Sequence, residues 1–150
     1  MVPELTNLNV MFVAGFGPVT RDTQDSKAFY INALGLPLKS MDGNDDYLLT
    51  DVDALHGVKH FALWPLSQAA KSCFGTAFWP DDIPVPQAWI EFEVADIDIA
   101  TNALCAQGYH LLVAKRTEPW GQTVTRLLSP EGLLAGCDHY AVAARKSLMS

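Results

Sequence analysis

The stretch Pro119-Trp120-Gly121-Gln122-Thr123-Val124-Thr125-Arg126-Leu127-Leu128-Ser129-Pro130-Glu131-Gly132-Leu133-Leu134 reads as a hairpin. Thr123 to Leu128 is rich in β-branched and aliphatic residues, which fit the pleated, half-buried surface of a strand. Ser129-Pro130-Glu131-Gly132 is a turn, because proline presets φ near −65° and glycine tolerates positive φ. Leu133 to Tyr140 then returns as a second strand. Taken by itself, such a hairpin suits any antiparallel sheet.

The whole string W-G-Q-x-x-x-R-x-x-S-P-E-G says more. It resembles the last hairpin of the glyoxalase / bleomycin-resistance / extradiol-dioxygenase superfamily, the vicinal oxygen chelate proteins. There a "PWG…DP.G" hairpin closes the second of two βαβββ modules. The resemblance therefore demands an earlier, similar module in the same chain.

Working outward from the hairpin, the required elements are found. Tyr109 to Lys115 reads as the preceding strand. Before it, Asp96 and Asp98 supply N-terminal acids for a helix ending near Gln107, with Gly108 after it; Ile99, Ala103 and Leu104 form its apolar stripe. Gln87 to Val94 alternates with period two, with Ile90, Phe92 and Val94 on one face and Trp89, Glu91 and Glu93 on the other. The segment from Phe74 to Pro86 carries Gly75, Pro80, Pro84 and Pro86 and reads as a linker.

In the first half, Asn9 to Thr20 is a strand interrupted by Gly15, Gly17 and Pro18, which points to a bulge or a close approach of another group. Asp25 to Leu34 is a helix whose apolar face holds Ala28, Phe29, Ile31 and Leu34, with Gly35 as its C-cap. Strands follow at Leu36 to Met41, Tyr47 to Thr50 and Val58 to Trp64, the last stopped by Pro65. Ser67 can cap a short helix through Ser72. Residues 1–7 read as a loose leader and Ala141 to Ser150 as a frayed tail.

The order is thus βαβββ, linker, βαβββ. Asp22…Phe29-Tyr30…Leu34-Gly35-Leu36 echoes Asp96…Leu104…Gly108-Tyr109, and the string Asp…Phe-Tyr…Leu-Gly is itself a hallmark of the superfamily. The resemblance runs from about Asn9 to Tyr140. It implies an α+β fold: two βαβββ modules with curved mixed sheets forming a cleft, and helices on the outside. Module 1 spans about 8–72, the linker 73–86 and module 2 about 87–141, in a single domain of residues 1–150.

Composition bounds the function classes. The chain has 150 residues, 49% of them hydrophobic and 18% charged, which is ordinary globular material. Net charge is −7, which disfavours nucleic acid as a partner because phosphate binding needs clustered Lys and Arg. No run approaches a membrane span, and no basic segment followed by an apolar one marks a signal peptide. Cys73, Cys105 and Cys137 are odd in number and widely spaced, so they read as free thiols in a reducing cytoplasm.

The chemistry rests on four positions. In metal-using relatives, His, Glu or Gln from the first and last strand of each module project into the cleft and hold a divalent ion with open sites for substrate. Counting from the helix-starting Asp and from the P-x-G turn, those positions fall on Gly15, near Phe61, on Trp89 and on Gly136. None offers a ligand. A displaced site from His60, Glu91 and Asp138 is the alternative, and His110 and His139 lie nearby in the plan. Otherwise Glu91 and Glu93 are cleft carboxylates and the histidines are edge residues.

Three glycines would leave space, and Trp89 would wall it, with Glu91 and Glu93 on the polar side. Trp64, Trp79 and Trp120 could rim the cleft, or simply pack as core. Arg126 can pair with Glu91 or Glu93, or bind a ligand anion. No nucleophile–base arrangement, P-loop or GxGxxG is present.

The resemblance thus implies a glyoxalase/bleomycin-resistance-like protein that binds a small aromatic or cationic molecule without a metal cofactor. It also implies a homodimer in the cytoplasm. The ligand-binding set is Trp89, Glu91, Glu93, Trp64, Trp120 and Arg126. The alternative is a metal-dependent lyase, isomerase or dioxygenase using the displaced site.

Overall fold

The computed structural model describes residues 8–118 and 121–140. Its frame is one eight-stranded sheet in the order β2-β3-β4-β1-β5-β8-β7-β6. The strands are β1 (Val10–Thr20), β2 (Lys39–Met41), β3 (Asn44–Leu49), β4 (His60–Pro65), β5 (Ala88–Val94), β6 (Val113–Thr117), β7 (Gln122–Leu128) and β8 (Leu134–Tyr140). Exchanging the first four strands for the last four reverses the order and leaves it otherwise unchanged. The two βαβββ modules are therefore related by a pseudo-twofold axis between β1 and β5, which pair antiparallel. Within each module the first and last strands pair parallel, β1 with β4 and β5 with β8. This is the mixed α+β architecture the repeat implied.

The hairpin forms where its turn chemistry dictates. Gly132 takes φ +85. Its amide donates to the Ser129 carbonyl at 2.9 Å, and the Ser129 hydroxyl accepts from Leu133 N at 3.1 Å. β7 and β8 then pair in register from Leu128↔Leu134 to Gln122↔Tyr140.

Three helices complete the modules and the connection between them. α1 (Thr23–Lys27) is capped by Asp22, whose side chain accepts from Asp25 N at 2.9 Å. It runs on as a π-helical turn, Ala28–Ala33, in which Leu34 N reaches the Phe29 carbonyl five residues back. α2 is Leu66–Phe74 and α3 is Ile97–Ala106. The Asp96 side chain caps α3 by accepting from Ile99 N at 3.0 Å.

Several local readings shift. The expected apolar face of the first helix is only partly covered: no residue of the helix is fully buried, Ile31 is half-buried, and Phe29 and Leu34 are each 54% exposed. In α3 the buried pair is Ala100 and Thr101, while Ile99 faces out. Ala100 packs with Val94 and Cys137, joined by Ile97 and Leu104. β6 begins at Val113 rather than Tyr109, and Lys115 takes φ +51 where its register with β7 slips. α2 starts at Leu66 behind Pro65, without a Ser67 cap, and continues to Phe74.

The two faces of the sheet differ. Val94, Cys137 and Thr125 face α3, and Thr101 and Thr125 share a hydrogen bond of 2.6 Å. We call this the outer face. Trp89 lies on the opposite, inner face. It shares a core cluster with Val19, Ala62, Val113 and Leu134 and with Ala69 and Cys73 of α2. So while the first helix and α3 lie outside as expected, α2 lies across the inner face.

Candidate functional site

Strand alternation sends Trp89, Glu91 and Glu93 of β5 to the inner face. The neighbouring β8 contributes Gly136, in register with Glu91, and Asp138, in register with Glu93. β7 adds Gln122, Val124 and Arg126, the last opposite Gly136. Five polar side chains from three adjacent strands are thus stacked in one patch, and Glu91, Glu93, Gln122, Arg126 and Asp138 are all buried. A buried charge survives only when paired and hydrogen-bonded, and the pairing here is dense.

Arg126 is the hub. Its Nη2 donates to Glu91 Oε2 at 3.3 Å and its Nη1 to the Ser72 hydroxyl of α2 at 2.7 Å. Glu118 approaches the same Nη1 at 3.7 Å. The guanidinium stacks over Trp64 at 5.1 Å from the ring centroid, and Trp64 meets Trp89 edge-on at 6.0 Å. Gln122 Nε2 bridges the acids, donating to Glu91 Oε1 at 2.8 Å and to Asp138 Oδ2 at 2.6 Å.

Burial pushes the Asp138 carboxyl up to about 10, helped by the Glu91 carboxylate beside it, to which it hydrogen-bonds. Burial and the neighbouring acids thus favour the protonated form of Asp138. Tyr47 of β3 also feels the patch. Burial raises its phenol well above the usual range, with Glu91 adding to the rise. Glu93 pairs with His139 Nδ1 at 3.3 Å. Among the described residues, Glu118 Oε1, Arg126 Nε and Asp138 Oδ1 are buried without a hydrogen-bond partner.

The glycines do not leave an open pocket. A Cβ on Gly15 would fall 2.5 Å from the Trp89 ring, and one on Gly17 would fall on the Ala62 carbonyl. A Cβ on Gly136 would sit 3.1 Å from Glu91 Cγ. The space is thus already filled by Trp89, by the Ala62 backbone of β4 and by Glu91. Trp89 is core, its indole N–H donating to Ala62 O at 3.2 Å. Open cavities lie elsewhere. One of about 580 Å³ separates the first helix from β2 and β3, and one of about 290 Å³ lies by Asp82, Tyr109 and His110.

Of the sequence-derived binding residues, Trp64, Trp89, Glu91 and Arg126 come together, with Glu93 next along β5. Trp79 instead folds the linker, its indole donating to the carbonyls of Ile83 and Pro84. Trp120 lies outside the described residues. Gln122, Ser72, Tyr47 and Glu118 were missed. Gln122 alone had a signal, since alternation along β7 places it on the face of Arg126.

The four central strand positions need correcting too. Gly15 is in register with His60 on one side and Glu91 on the other, and Glu91 with Gly136. The row is His60–Gly15–Glu91–Gly136. Phe61 points the other way, toward Tyr30 and Phe16, and Trp89 is one pleat removed, opposite Gly17. This row offers two donors. His60 Nδ1 lies 3.2 Å from the Thr50 carbonyl, and Glu91 is already held by Arg126 and Gln122. No group of three His, Cys, Asp or Glu suited to a metal occurs among the described residues.

The comparisons with known proteins agree on the fold. A superfamily member from Vibrio splendidus 12B01 is 15% identical, with a TM-score of 0.55 over 85% of this chain and 97% of that one. A Streptomyces coelicolor methylmalonyl-CoA epimerase variant in complex with 2-nitronate-propionyl-CoA is 16% identical, with a TM-score of 0.56 over 89% and 97%. A protein from Legionella pneumophila described as an NAD-dependent benzaldehyde dehydrogenase is 12% identical, with a TM-score of 0.54 over 85% and 98%. Such different activities on one frame show that the frame does not select the reaction. No curated protein sequence matches this chain significantly. The family model described as Glyoxalase/Bleomycin resistance protein/Dioxygenase superfamily matches residues 16–135, most of the chain. With that match and the paired modules, the chain belongs to the glyoxalase/bleomycin resistance protein/dioxygenase superfamily.

Proposed function

We propose that this chain binds a small organic molecule, aromatic or cationic, against its inner face and without a metal. The observation that carries this reading is the acid excess of the buried patch. Glu91 and Glu118 flank the Arg126 guanidinium, Asp138 lies beside Glu91, Glu93 contacts His139, and buried oxygens of Glu118 and Asp138 have no hydrogen-bond partner among the described residues. Such a site favours a ligand that brings N–H donors and positive charge. Trp64, with Arg126 stacked on it, adds an aromatic surface. One of the epimerase relatives is described as a complex with methylmalonyl-CoA and NH4+. Those ligands belong to that protein.

The test is binding of proflavine, a flat cation, followed by tryptophan fluorescence and thermal shift. Wild type should bind it, and Glu91→Gln should weaken proflavine by about 1–2 kcal/mol, the scale of one charge-assisted contact, while leaving a neutral flat dye unchanged. Failure to bind either dye removes the reading. Elemental analysis finding one metal per chain would replace it with a metal-dependent lyase, isomerase or dioxygenase built on His60, Glu91 and Asp138.

The same reading takes the protein as a homodimer. Support comes from the exposed Phe16, Phe29 and Leu34 around the first helix, apolar surface that a second subunit can cover. The three free cysteines suit a reducing cytoplasm. No helix among the described residues is long and apolar enough to cross a membrane.

A further inference from the structure

The linker between the modules folds back on module 2 and leaves a cavity there of about 290 Å³. Ile83 and Pro84 of the linker form one side, and Leu112 and Leu128 the other. Leu112 and Leu128 also pack on the inner-face core, so the floor of the cavity rests on that core. None of Glu91, Glu118, Arg126 and Asp138 lines it. It is a different place from the buried acid patch.

Both walls are pinned. The Trp79 indole N–H donates to the carbonyls of Ile83 and Pro84 at 3.0 and 3.1 Å, and Ile83 N donates to the Pro80 carbonyl at 3.3 Å. Phe74 braces Trp79 edge-on at 4.9 Å. Pro80, Pro84 and Pro86 restrict the linker backbone further. Opposite, Leu112 N donates to the Arg126 carbonyl at 2.8 Å and Tyr109 N to the Leu104 carbonyl at 3.2 Å, while Leu128 is in register with Leu134 of β8. A cavity between pinned walls is preformed, so a ligand entering it has little of the protein to order.

Its polar groups are unengaged. Asp82, Tyr109 and His110 complete the lining, and all three are exposed. Their side chains have no hydrogen-bond or ion-pair partner among the described residues. Asp82 makes the rim negative, and no Lys or Arg lines the cavity. Tyr109 adds an aromatic ring. An apolar floor, an aromatic side and one carboxylate at the rim suit a molecule with an aromatic body and an amino group. The volume lies at the small end of ligand pockets, which begin near ~300 Å³. It takes a single ring with a short chain and not a fused dye such as proflavine.

We propose that this cavity is a second binding site, for a small primary arylalkylamine. The ring lies on Ile83, Pro84, Leu112 and Leu128, and the ammonium meets Asp82. The site stands apart from the inner-face reading above and does not depend on it.

The experiment titrates the isotope-labelled full chain with phenethylamine, and in parallel with phenylethanol and phenylacetate, following amide and indole N–H resonances. Phenethylamine should shift the Ile83, Leu112 and Leu128 amides and the Trp79 indole N–H along one saturable curve. The Kd should be on the order of a millimolar, the scale for so small a ligand. The Glu91 and Asp138 amides should stay in place. Phenylethanol should bind about threefold more weakly, the scale of one exposed ion pair, and phenylacetate more weakly still. Asp82→Asn should weaken phenethylamine to the level of phenylethanol and leave phenylethanol unchanged. Tyr109→Ala should weaken both by about threefold to fivefold. Both replaced side chains are exposed, and unchanged resonances elsewhere in the sheet confirm that the variants fold. The proposal is overturned if phenethylamine gives no saturable shift, or if its shifts centre on Glu91 and Asp138. It is equally overturned if phenylacetate binds as tightly as phenethylamine, or if Asp82→Asn binds the amine as wild type does. Proflavine reports on the buried patch alone, so the two readings fail separately.

Discussion

The two modules share a strand order and little else. In module 2, α3 is a regular helix that buries Ala100 and Thr101 and ties itself to the sheet through the Thr101–Thr125 hydrogen bond. In module 1 the equivalent helix breaks into a π-helical turn and buries no residue. The inner faces differ in the opposite sense. β5, β7 and β8 carry Glu91, Gln122, Arg126 and Asp138, while β1 and β4 answer with Gly15, Gly17, Ala62 and Trp64. A duplicated frame has thus divided its labour. Module 2 is well packed outside and charged inside. Module 1 is loosely packed outside and supplies glycines that let Trp89 and the Ala62 backbone close in, an aromatic wall and, through Tyr47, a phenol. This difference makes the modules unequal targets for substitution.

The largest effect should come from the charged side of module 2. Arg126→Met removes the cation and leaves Glu91 and Glu118 buried beside each other. Breaking one partner of a buried ion pair costs about 3–5 kcal/mol, so the urea midpoint should fall by that equivalent. Adding Glu91→Gln to Arg126→Met should recover part of the loss, because the uncompensated charge goes with it. A loss under about 1 kcal/mol for Arg126→Met would mean the network adds little.

Glycines test the same contrast by size instead of charge. Gly17→Ala in module 1 drives a Cβ to 1.8 Å from the Ala62 carbonyl oxygen, a backbone atom that cannot step aside. Gly136→Ala in module 2 meets Glu91 Cγ at 3.1 Å, part of a side chain that can shift. Gly17→Ala should therefore cost about 1–3 kcal/mol or more, and Gly136→Ala clearly less, both read from thermal unfolding. Equal costs would mean that the close β1–β4 approach is not a constraint.

A pH profile isolates the acid pair. The folded pKa of Asp138 is raised to about 10 from an ordinary 3.8, so between those values the native state holds a proton that the unfolded state releases. Stability contributed by Asp138 is then full below about pH 4 and is lost as pH rises toward 10. Asp138→Asn keeps a donor toward Glu91 without needing the proton. It should flatten this fall and stabilise the protein at pH 8 by roughly 1–3 kcal/mol, while differing little from wild type near pH 4. A variant with an unchanged pH profile would place the titration elsewhere.

Much of the fold was legible because its signals are local. The Ser129–Gly132 turn, the period-two run of β5 and the Asp caps at Asp22 and Asp96 each act within a few residues. What failed depends on pairing across the chain. Counting along the sequence put the last-strand position of module 1 near Phe61, but the parallel register of β1 on β4 puts His60 opposite Gly15, and one residue reverses the face. The glycines suggested a void, yet whether a void remains depends on what approaches, here Trp89 and the Ala62 backbone. Nothing in Leu66 to Phe74 announced that α2 would cover the inner face, since Ala69, Ala70 and Cys73 fit either side of a sheet. Arg126 and Glu91 were visible as a pair, and Gln122 could have joined them through alternation. Ser72 and Tyr47 could be placed only by the three-dimensional packing.

The smallest stability effect should come from the outer side of module 1, and there the two modules should diverge most plainly. Phe29 is 54% exposed and stacks edge-on with Tyr30 at 4.9 Å, while its helix buries nothing. Removing an exposed ring from a helix that carries no core should change unfolding free energy by about 0.5 kcal/mol or less. Phe29→Ser combined with Leu34→Ser should therefore melt within a few degrees of wild type at high dilution. The corresponding cut in module 2, Leu104→Ala, removes a side chain packed against Val94, Ala100 and Cys137 and should cost about 1–3 kcal/mol. If the first helix forms the subunit contact, the same double variant should shift sedimentation toward the 16.4 kDa monomer at micromolar concentration, which Leu104→Ala should not do. A double variant that is as destabilised as Leu104→Ala would show that the first helix packs on its own sheet as tightly as α3 does. A double variant that leaves both melting and sedimentation unchanged would remove the first helix from any role in assembly.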